Sequence, residues 1–358
     1  MRLVPVQSLE PHEVSSWVEL AERAAEPNPF FEPAFVIPAA KHLDTAPPWL
    51  LVYEHDGVWI GCLPVRVTRL LGRRIALSSW KHPYSSIGTP LVDRRHLTDF
   101  ANALVQRLGN WRNGRFLMLR CAVDDAVVGA IRSAVEASQT ARVAFEHTGE
   151  RAVVRRRPSP DDYLAGIKPR RLREIERRRK RLADQFDGEL TVTDRAHSPD
   201  AVEEFLRLEA SGWKGRKGTA MATSGDAELF RSLCREFAQD GRLQLLSLET
   251  EQRALAMQCN ISASDILFNF KIAFDEALRS YAPGIQLEID AIRVFHEERQ
   301  ERVMDSCAEP DNEVLNRLWP DRIPIATLVV GPQGPTGRMA GRVLASAHAR
   351  RARKKGSQ

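Results

Sequence analysis

The sequence predicts an α/β (α+β) protein with two tandem domains, each built on a mixed central sheet flanked by helices. Three observations favour this class. Its 358 residues are enough for two domains of ordinary size. Strands and helices alternate along residues 1–150 and again, in a related order, along 151–330. Residues 331–358 form a basic segment without the apolar residues of a packed core, so we expect a disordered tail there.

The first domain begins with helices and a hairpin. Residues 14–25 carry apolar side chains at helical spacing, and a proline-rich aromatic loop at 27–33 leads into a helix near 33–42. Two apolar strands follow within 49–70, joined at Asp56-Gly57, a pair typical of hairpin turns. The remaining expected elements are a helix at 97–111, a buried strand at 115–122 and a helix near 124–138.

The second domain repeats this alternation with different residues. A basic helix comes first, and three successive strands lead into a long helix before the domain closes. The expected elements are a helix within 161–185, a strand at 189–195, helices at 198–215 and 226–239, strands at 243–250, 254–263 and 265–274, a helix at 284–300, and closing strands at 303–309 and 323–330.

Composition excludes several classes of protein. Hydrophobic residues make up 43% and charged residues 28%, as in globular proteins. No apolar run reaches the roughly 18 residues of a membrane-spanning helix, and the N-terminus lacks the apolar core of a signal peptide. We therefore expect a cytoplasmic protein without a transmembrane segment. The cysteines are far apart and form no CxxC pair, which favours buried thiols over a zinc site or a disulfide frame.

The net positive charge belongs to the tail. Residues 331–358 hold seven bases and no acid, and removing them from the net charge of +5 leaves residues 1–330 at −2. Such a tail can contact nucleic acid, anionic lipid or other polyanions weakly, but it does not make the folded body a nucleic-acid binder. We expect no stable nucleic-acid partner.

A second basic run lies at residues 168–181, with nine bases and two acids. It is either a surface for RNA or a cofactor phosphate, or a solvated helix face. We favour the solvated face because no aromatic residues are interleaved to stack on bases.

The stretch "FKIAFDEALRSYAPGIQLEIDAIRVF" passes from a strand, through a turn, into a helix. Pro283 suits the first helical position, where its missing N–H costs nothing. The N–H groups of Gly284, Ile285 and Gln286 would then point out of the helix end and, with the helix dipole, bind an anion. An ordinary proline-initiated helix is the alternative, and spacing alone does not decide between them.

Three charged residues at the end of the same strand are further candidates. Lys271 could bind the anion, and Asp275 or Glu276 could act as a general base for an amine or hydroxyl acceptor. A solvated acid in a turn is the plainer alternative for either carboxylate.

Two loops add candidate residues. "ASGWKGRKGTAM" places Trp213 and Lys214 in a glycine-rich basic loop without P-loop spacing, and a solvated loop is the alternative. "SSWKHPYSSIGTPLVD" contributes His82 and Tyr84 as acid/base or acceptor-binding groups, although a lone histidine is more often structural. We find no nucleophile elbow, HExxH motif or GxGxxG after a strand, and we expect no metal site.

Four motifs in order resemble a known family: "NPFFEPAF", "WKGRKGTA", "KIAFDEALRSYAPGIQLEIDAI" and "LWPDR". They are similar to the CelD/BcsL-type acetyltransferase-like proteins, relatives of the GNAT superfamily and of the Fem-type aminoacyl transferases. The resemblance runs from about residue 12 to 330 and is most specific between 160 and 310. One departure is that "RSYAPG" stands where GNAT proteins carry Arg/Gln-x-x-Gly-x-Gly/Ala.

The resemblance implies two tandem GNAT-like domains and direct acyl transfer from acetyl-CoA or another acyl-CoA. The cofactor pyrophosphate would lie at the N-terminus of the helix that begins at Pro283. The candidate catalytic residues are Asp275, Glu276, His82 and Tyr281; the candidate cofactor-binding residues are Pro283, Gly284, Ile285, Gln286, Trp213, Lys214 and Lys271.

The sequence therefore predicts an acyl-CoA-dependent N- or O-acyltransferase acting on a sugar, a glycolipid or an envelope or exopolysaccharide precursor. Two alternatives stay open: a Fem-type transferase that uses aminoacyl-tRNA, and a non-catalytic GNAT-like scaffold or sensor. The expected partner is a small-molecule, glycan or glycolipid acceptor, and a homodimer is also considered.

Overall fold

The computed structural model describes residues 1–43, 46–70, 73–110, 116–186, 188–218 and 220–356. The chain divides into two compact units. Unit 1 comprises Met1–Glu150 with Ile323–Gln358, and unit 2 comprises Arg151–Arg322. Both contain mixed sheets flanked by helices, which confirms the predicted fold class.

Unit 1 begins with two helices and four hydrogen-bonded strands. Its first elements are β1 (Arg2–Pro5), α1 (Pro11–Arg23), α2 (Pro33–His42), β2 (Trp49–His55), β3 (Val58–Leu70), β4 (Arg73–Ser79), β5 (Leu91–Val92), α3 (Leu97–Asn110), β6 (Phe116–Ala122), α4 (Ala126–Ser138) and β7 (Ala141–Arg155), which continues into unit 2.

The sheet of unit 1 is mixed because one strand pair is parallel. Strands β1 to β4 are neighbours in an antiparallel meander, and β4 then pairs with β6 in parallel. The β2–β3 turn is the predicted hairpin turn: Asp56 and Gly57 have φ of 50° and 77°, the left-handed conformation that such turns require. Helix α1 begins at Pro11 with a capping box between Glu10 and Glu13.

Unit 2 follows with α5 (Pro160–Leu164), α6 (Pro169–Gln185), β8 (Thr191–Asp194), α7 (Ala201–Ser211), α8 (Trp213–Arg216), α9 (Met221–Ser224), α10 (Ala227–Gln239), β9 (Leu243–Glu249), β10 (Ala254–Ala263), β11 (Ile266–Phe274), α11 (Pro283–Glu297), β12 (Val303–Asp305) and α12 (Glu313–Leu318). The chain then returns to unit 1 through β13 (Asp321–Pro332) and α13 (Pro335–Gly356).

In unit 2 the end of β7 pairs with β12, and the order continues through β11, β10, β9 and β8. Only the β11–β12 pair is parallel among the described pairs of this unit. Helix α11 lies on this sheet: Leu287 and Ala291 pack on Leu246 and Leu248. Farther along α11, Phe295 is buried in a second cluster. The helix that the turn begins is therefore a core element.

Two sequence expectations need correction at the C-terminal end. Residues 323–330 were expected to close the second domain, but β13 pairs with β6, with Ile325 opposite Ala122, and belongs to unit 1. The segment 331–358 was expected to be disordered, yet α13 forms there and Ala345 is fully buried beside Val329. Composition hid this helix because small residues bury little apolar area but allow close packing: a Cβ on Gly341 would lie 3.3 Å from Val329 Cγ1.

No helix within the described residues is long and apolar enough to cross a bilayer. The side chains from residue 347 onward are outside the described part of the structure.

The packing of α13 can be tested by placing a charge at its buried face. Ala345→Glu should lower the free energy of unfolding by about 3 kcal/mol, because a carboxylate would be buried without a partner. Ala340→Glu, at a half-buried position of the same helix, should cost less than about 1 kcal/mol. Equal stability of the two variants in urea unfolding would show that α13 is not packed as described.

Candidate functional site

The site in unit 2 begins where two parallel strands part. Strand β11 pairs with β12 only from Ile266 to Phe268, opposite Val303 to Asp305. β12 ends there, whereas β11 continues to Phe274. Residues 269–274 therefore have no strand neighbour on that side among the described residues.

A bulge lies at the point of separation. Against β10, Lys271 is opposite Cys259 but Asn269 is opposite Asn260, so Phe270 is the extra residue of β11. A bulge of this kind bends a strand and re-aims its side chains and amides. It therefore accentuates the opening between β11 and β12.

The turn after β11 forms the helix start that the sequence predicted. A 3-10 turn at Glu276–Tyr281 leads to Ala282, which has φ of 55°, and α11 begins at Pro283. The N–H groups of Ile285 and Gln286 donate to the Ala282 carbonyl, at 3.0 and 3.2 Å. Of the three amides expected to bind an anion, only that of Gly284 has no acceptor among the described residues.

Gly284 also serves the packing of the helix. A Cβ at this position would lie 3.2 Å from Phe274 Cδ1 and 3.6 Å from Ile272 Cδ1. The absence of a side chain thus brings the first turn of α11 close to β11. A bulky substitution here would move the helix as well as block a ligand.

A pocket of about 100 Å³ lies against the same turn. It is lined by residues of the turn and of α6: Arg171, Glu174, Ile175, Arg178, Tyr281, Ala282, Ile285 and Gln286. Three of the predicted site residues, Tyr281, Ile285 and Gln286, therefore meet arginines of the basic run 168–181. Sequence reasoning did not join these segments because they are a hundred residues apart.

The polar groups of this pocket are incompletely satisfied. Gln286 is 1% exposed; its Nε2 donates to the Tyr281 carbonyl at 2.9 Å, while its Oε1 has no partner. The buried Nε of Arg171 also has no acceptor. Buried polar atoms of this kind are normally paired, so a ligand or water is expected to complete them.

Positive charge is concentrated around the pocket. Burial lowers the pKa of Arg171, and the neighbouring Arg317 and Arg178 lower it further. The one lining acid, Glu174, already accepts from Arg177 and Arg178, at 2.9 and 2.8 Å. Repulsion between closely placed guanidinium groups favours a bound anion.

Tyr281 lies in this pocket, but its hydroxyl is engaged. It donates to Gln185 Oε1 at 2.6 Å, and the Arg181 guanidinium lies 5.6 Å from the centre of its ring. Tyr281 thus connects the turn to α6, which suits a positioning role better than proton transfer.

The two predicted carboxylates lie at the C-terminal end of β11 and are both paired. Asp275 caps the 3-10 turn by accepting from the Ala277 N–H at 2.9 Å, and its other oxygen lies 2.7 Å from Arg253. Glu276 pairs with Arg216 at 2.8 Å. Neither carboxylate is therefore the solvated turn acid that the sequence left as the alternative, because each forms an ion pair.

The remaining candidates are not brought to the pocket. Lys271 Nζ lies 3.8 Å from the buried Glu209, beside α7. His82 belongs to unit 1, where it is 2% exposed and stacks on Phe35. Burial lowers the pKa of His82 to about 3, so this neutral, enclosed ring is a core residue. The side chains of Trp213 and Lys214 lie outside the described part of the structure.

The sequence did not lead us to a buried carboxyl group on α11. Glu288 is 4% exposed, and both its oxygens accept from Asn269 Nδ2, at 3.1 and 3.3 Å. Asn269 is the first residue of β11 beyond the β12 pairing. Burial raises the pKa of Glu288 to about 7. The sequence indication was an acid inside the apolar run "GIQLEIDAI".

Unit 1 also contains a parallel strand pair, but there a loop of the same unit lies where the two strands separate. Strands β4 and β6 pair at Ala76–Ser78. The Gly88 N–H then donates to the Arg120 carbonyl at 2.6 Å, and a Cβ on Gly88 would lie 2.5 Å from Ser79 Oγ. The loop after β4 thus occupies the place that stays open beside β11 in unit 2.

No cluster of three or more metal-ligating side chains occurs among the described residues.

Similarity to known proteins agrees with this geometry. Residues 169–313 match the family model described as "Acetyltransferase (GNAT) domain", a range that includes α6, β11 and α11. The match shows that this part of unit 2 is similar to the GNAT domain. The finer CelD/BcsL-type assignment stays a prediction. No curated protein matches the sequence.

Solved structures similar to the chain share its fold at low sequence identity. FemX is 9% identical with a TM-score of 0.59 and covers 93% of this chain and 98% of its own. A conserved protein of unknown function from Bacteroides thetaiotaomicron VPI-5482 is 11% identical with a TM-score of 0.57, covering 92% and 100%. The C-terminal domain (DUF2156) of a putative lysylphosphatidylglycerol synthetase from Agrobacterium fabrum is 12% identical with a TM-score of 0.53, covering 94% and 95%.

The buried carboxyl group predicts a pH-dependent stability. Because the folded pKa of Glu288 is raised from 4.5 to about 7, its contribution to stability is full below its ordinary pKa and is lost as pH rises through about 7. Glu288→Gln should therefore stabilise the protein at pH 8 by up to about 3 kcal/mol relative to its effect at pH 4.5.

Chemical denaturation of wild type and Glu288→Gln at both pH values measures this difference. Glu176→Gln, an exposed glutamate on α6, provides the matched control. A Glu288→Gln effect that does not change with pH would show that this carboxyl is not held in its protonated form.

Proposed function

We propose that unit 2 transfers an acyl group from acyl-CoA to an amine or hydroxyl of a sugar, glycolipid or envelope precursor. One observation carries the proposal: the basic pocket at the start of α11 directly follows the stretch of β11 that has no β12 neighbour. A phosphate-binding pocket and a strand edge without a neighbouring strand are the two parts that an extended donor of this kind needs.

The pocket would hold a diphosphate of the donor. The guanidinium groups of Arg171 and Arg178 would bind its oxygens, together with the N–H of Gly284, which lies between the lining residues Ala282 and Ile285. Tyr281 would hold the turn against α6. Pro283 fixes the helix start, and Ile285 and Gln286 form the wall of the pocket. Relative to the sequence expectation, arginines replace most of the helix amides as the anion ligands.

The stretch of β11 without a β12 neighbour would hold the rest of the donor. Acyl-CoA supplies an activated thioester. A main-chain N–H group on this side of the strand would donate to the thioester carbonyl oxygen and stabilise the negative charge that develops there. This contribution needs no particular side chain, which is why the residues of the strand alone do not reveal it.

A carboxylate would take the proton of the acceptor as the carbon–sulfur bond breaks and the thiolate leaves. Asp275 and Glu276 remain the proposed bases, since both lie at the open end of β11. Their arginine partners, Arg253 and Arg216, would have to release one oxygen. Lys271, Trp213 and Lys214 remain proposed donor-binding residues. His82 is not retained as a base because its buried, neutral ring belongs to the core of unit 1.

A specific observation favours one alternative, transfer from aminoacyl-tRNA as in the Fem-type proteins. Beside the pocket, α6 presents an exposed row of bases. They are Lys168, Arg170, Arg173, Arg177 and Lys180. Such a row could follow a nucleic-acid backbone beyond the pocket, and its binding would fall steeply with salt.

Calorimetric titration with CoA and acetyl-CoA tests the donor. Wild type should bind with micromolar affinity, and Arg171→Ala and Arg178→Ala should each weaken binding by about tenfold or more, because each removes a charge-assisted hydrogen bond. Arg231→Ala, which removes an exposed, ion-paired arginine of α10, is the matched control and should bind normally.

These variants are better probes than Gly284→Glu, whose side chain would also disturb the packing on Phe274. Absence of CoA binding combined with salt-dependent tRNA binding would favour the Fem-type alternative. Absence of both would favour a non-catalytic scaffold.

A pair of variants distinguishes a role of Asp275 as the general base from its role as the cap of the 3-10 turn. Asp275→Asn should lower kcat by about 10²-fold or more with little change in KM, since general-base catalysis contributes on that order. Arg253→Gln removes the ion pair but keeps the carboxylate, and it should retain most of the activity. Equal losses in the two variants would assign Asp275 to structure alone.

A further inference from the structure

The outward face of α13 is apolar where a solvated helix would be polar. Met339 and Val343, one turn apart, are 67% and 63% exposed. The opposite face is already used: Gly341 and Ala345 lie against the sheet of unit 1. Single exposed apolar residues are common on protein surfaces, so this pair gains meaning only from its surroundings.

The charged residues of α13 itself are all basic. The exposed Arg338 and Arg342 alternate with the apolar pair along the same face, and Arg342 lies 3.5 Å from Glu146. The helix backbone continues to Gly356. This extension adds Arg350, Arg351, Arg353, Lys354 and Lys355, and the segment from residue 331 contains no acid.

We propose that α13 is a docking surface for an anionic lipid bilayer. A basic helix that exposes apolar side chains between its charges binds at the interface of a membrane, with the apolar groups below the headgroups and the bases among them. Arginine and lysine suit this position because their long side chains reach the phosphates from a shallowly buried backbone.

The exposed side chains of Met339 and Val343 favour a bilayer over a nucleic acid as the partner of α13. RNA or DNA would satisfy the bases but would leave Met339 and Val343 in water. A bilayer covers both kinds of side chain at once. The proposal does not depend on acyl transfer, since α13 belongs to unit 1 and none of its residues lines the pocket.

Two contributions to binding should be separable. Each base near an anionic surface raises the affinity by roughly fivefold at low salt. Insertion of the two apolar side chains should add on the order of tenfold, which salt does not screen. The helix is therefore a reversible peripheral anchor.

Co-sedimentation of the full chain with vesicles tests the proposal. Vesicles of phosphatidylcholine alone are compared with vesicles of equal phosphatidylcholine and phosphatidylglycerol, each at low and high salt. We expect binding to the anionic vesicles only, weakened by salt. Met339→Ser with Val343→Ser should reduce it by about tenfold.

The matched control is Val18→Ser with Val58→Ser. These valines of unit 1 are each 46% exposed, and their replacement should leave vesicle binding unchanged. Absence of binding to anionic vesicles overturns the proposal, as does binding that is undiminished in the Met339→Ser, Val343→Ser variant. Displacement of the protein from vesicles by a small excess of tRNA would also overturn it, because α13 would then be a nucleic-acid surface.

Discussion

The separation of β11 from β12 is the constraint on which the rest of unit 2 depends. A parallel strand pair needs a crossover between its strands, and here α11 is that crossover. β12 stops after Asp305, so the end of β11 has no strand neighbour on that side directly before the turn into α11. The proposed donor would bind along this edge.

Helix α11 supports the core, and in the proposed site its first turn would also bind the donor. Gly284 allows the close approach to Phe274, and its N–H has no acceptor among the described residues. One turn later Glu288 places a carboxyl group in the core, with Asn269 as its hydrogen-bonding partner. Burying such a group costs stability, which a purely structural helix would avoid. In unit 1 the corresponding space beside the parallel strands β4 and β6 is closed by Gly88 and its loop.

The sequence predicted the features that neighbouring residues form, but not those that are assembled from distant parts of the chain. The turn at Pro283 was predictable because a strand pattern changes to helical spacing there. The pocket was not, since Arg171 and Gln286 meet only in the folded unit. His82 was chosen because its loop is polar in sequence, yet the ring is enclosed by Phe35 and Trp80. Helix α13 was missed because small residues resemble a flexible tail in composition.

We infer that the donor lies along the edge of β11 that has no β12 neighbour and ends at the start of α11. Amide hydrogen exchange of the full chain, with and without saturating acetyl-CoA, tests it most directly. We expect new protection in peptides covering 269–286 and 169–178, and none in those covering 76–90 of unit 1. Protection confined to unit 1, or no protection at saturation, would show that the donor does not bind at β11 and α11.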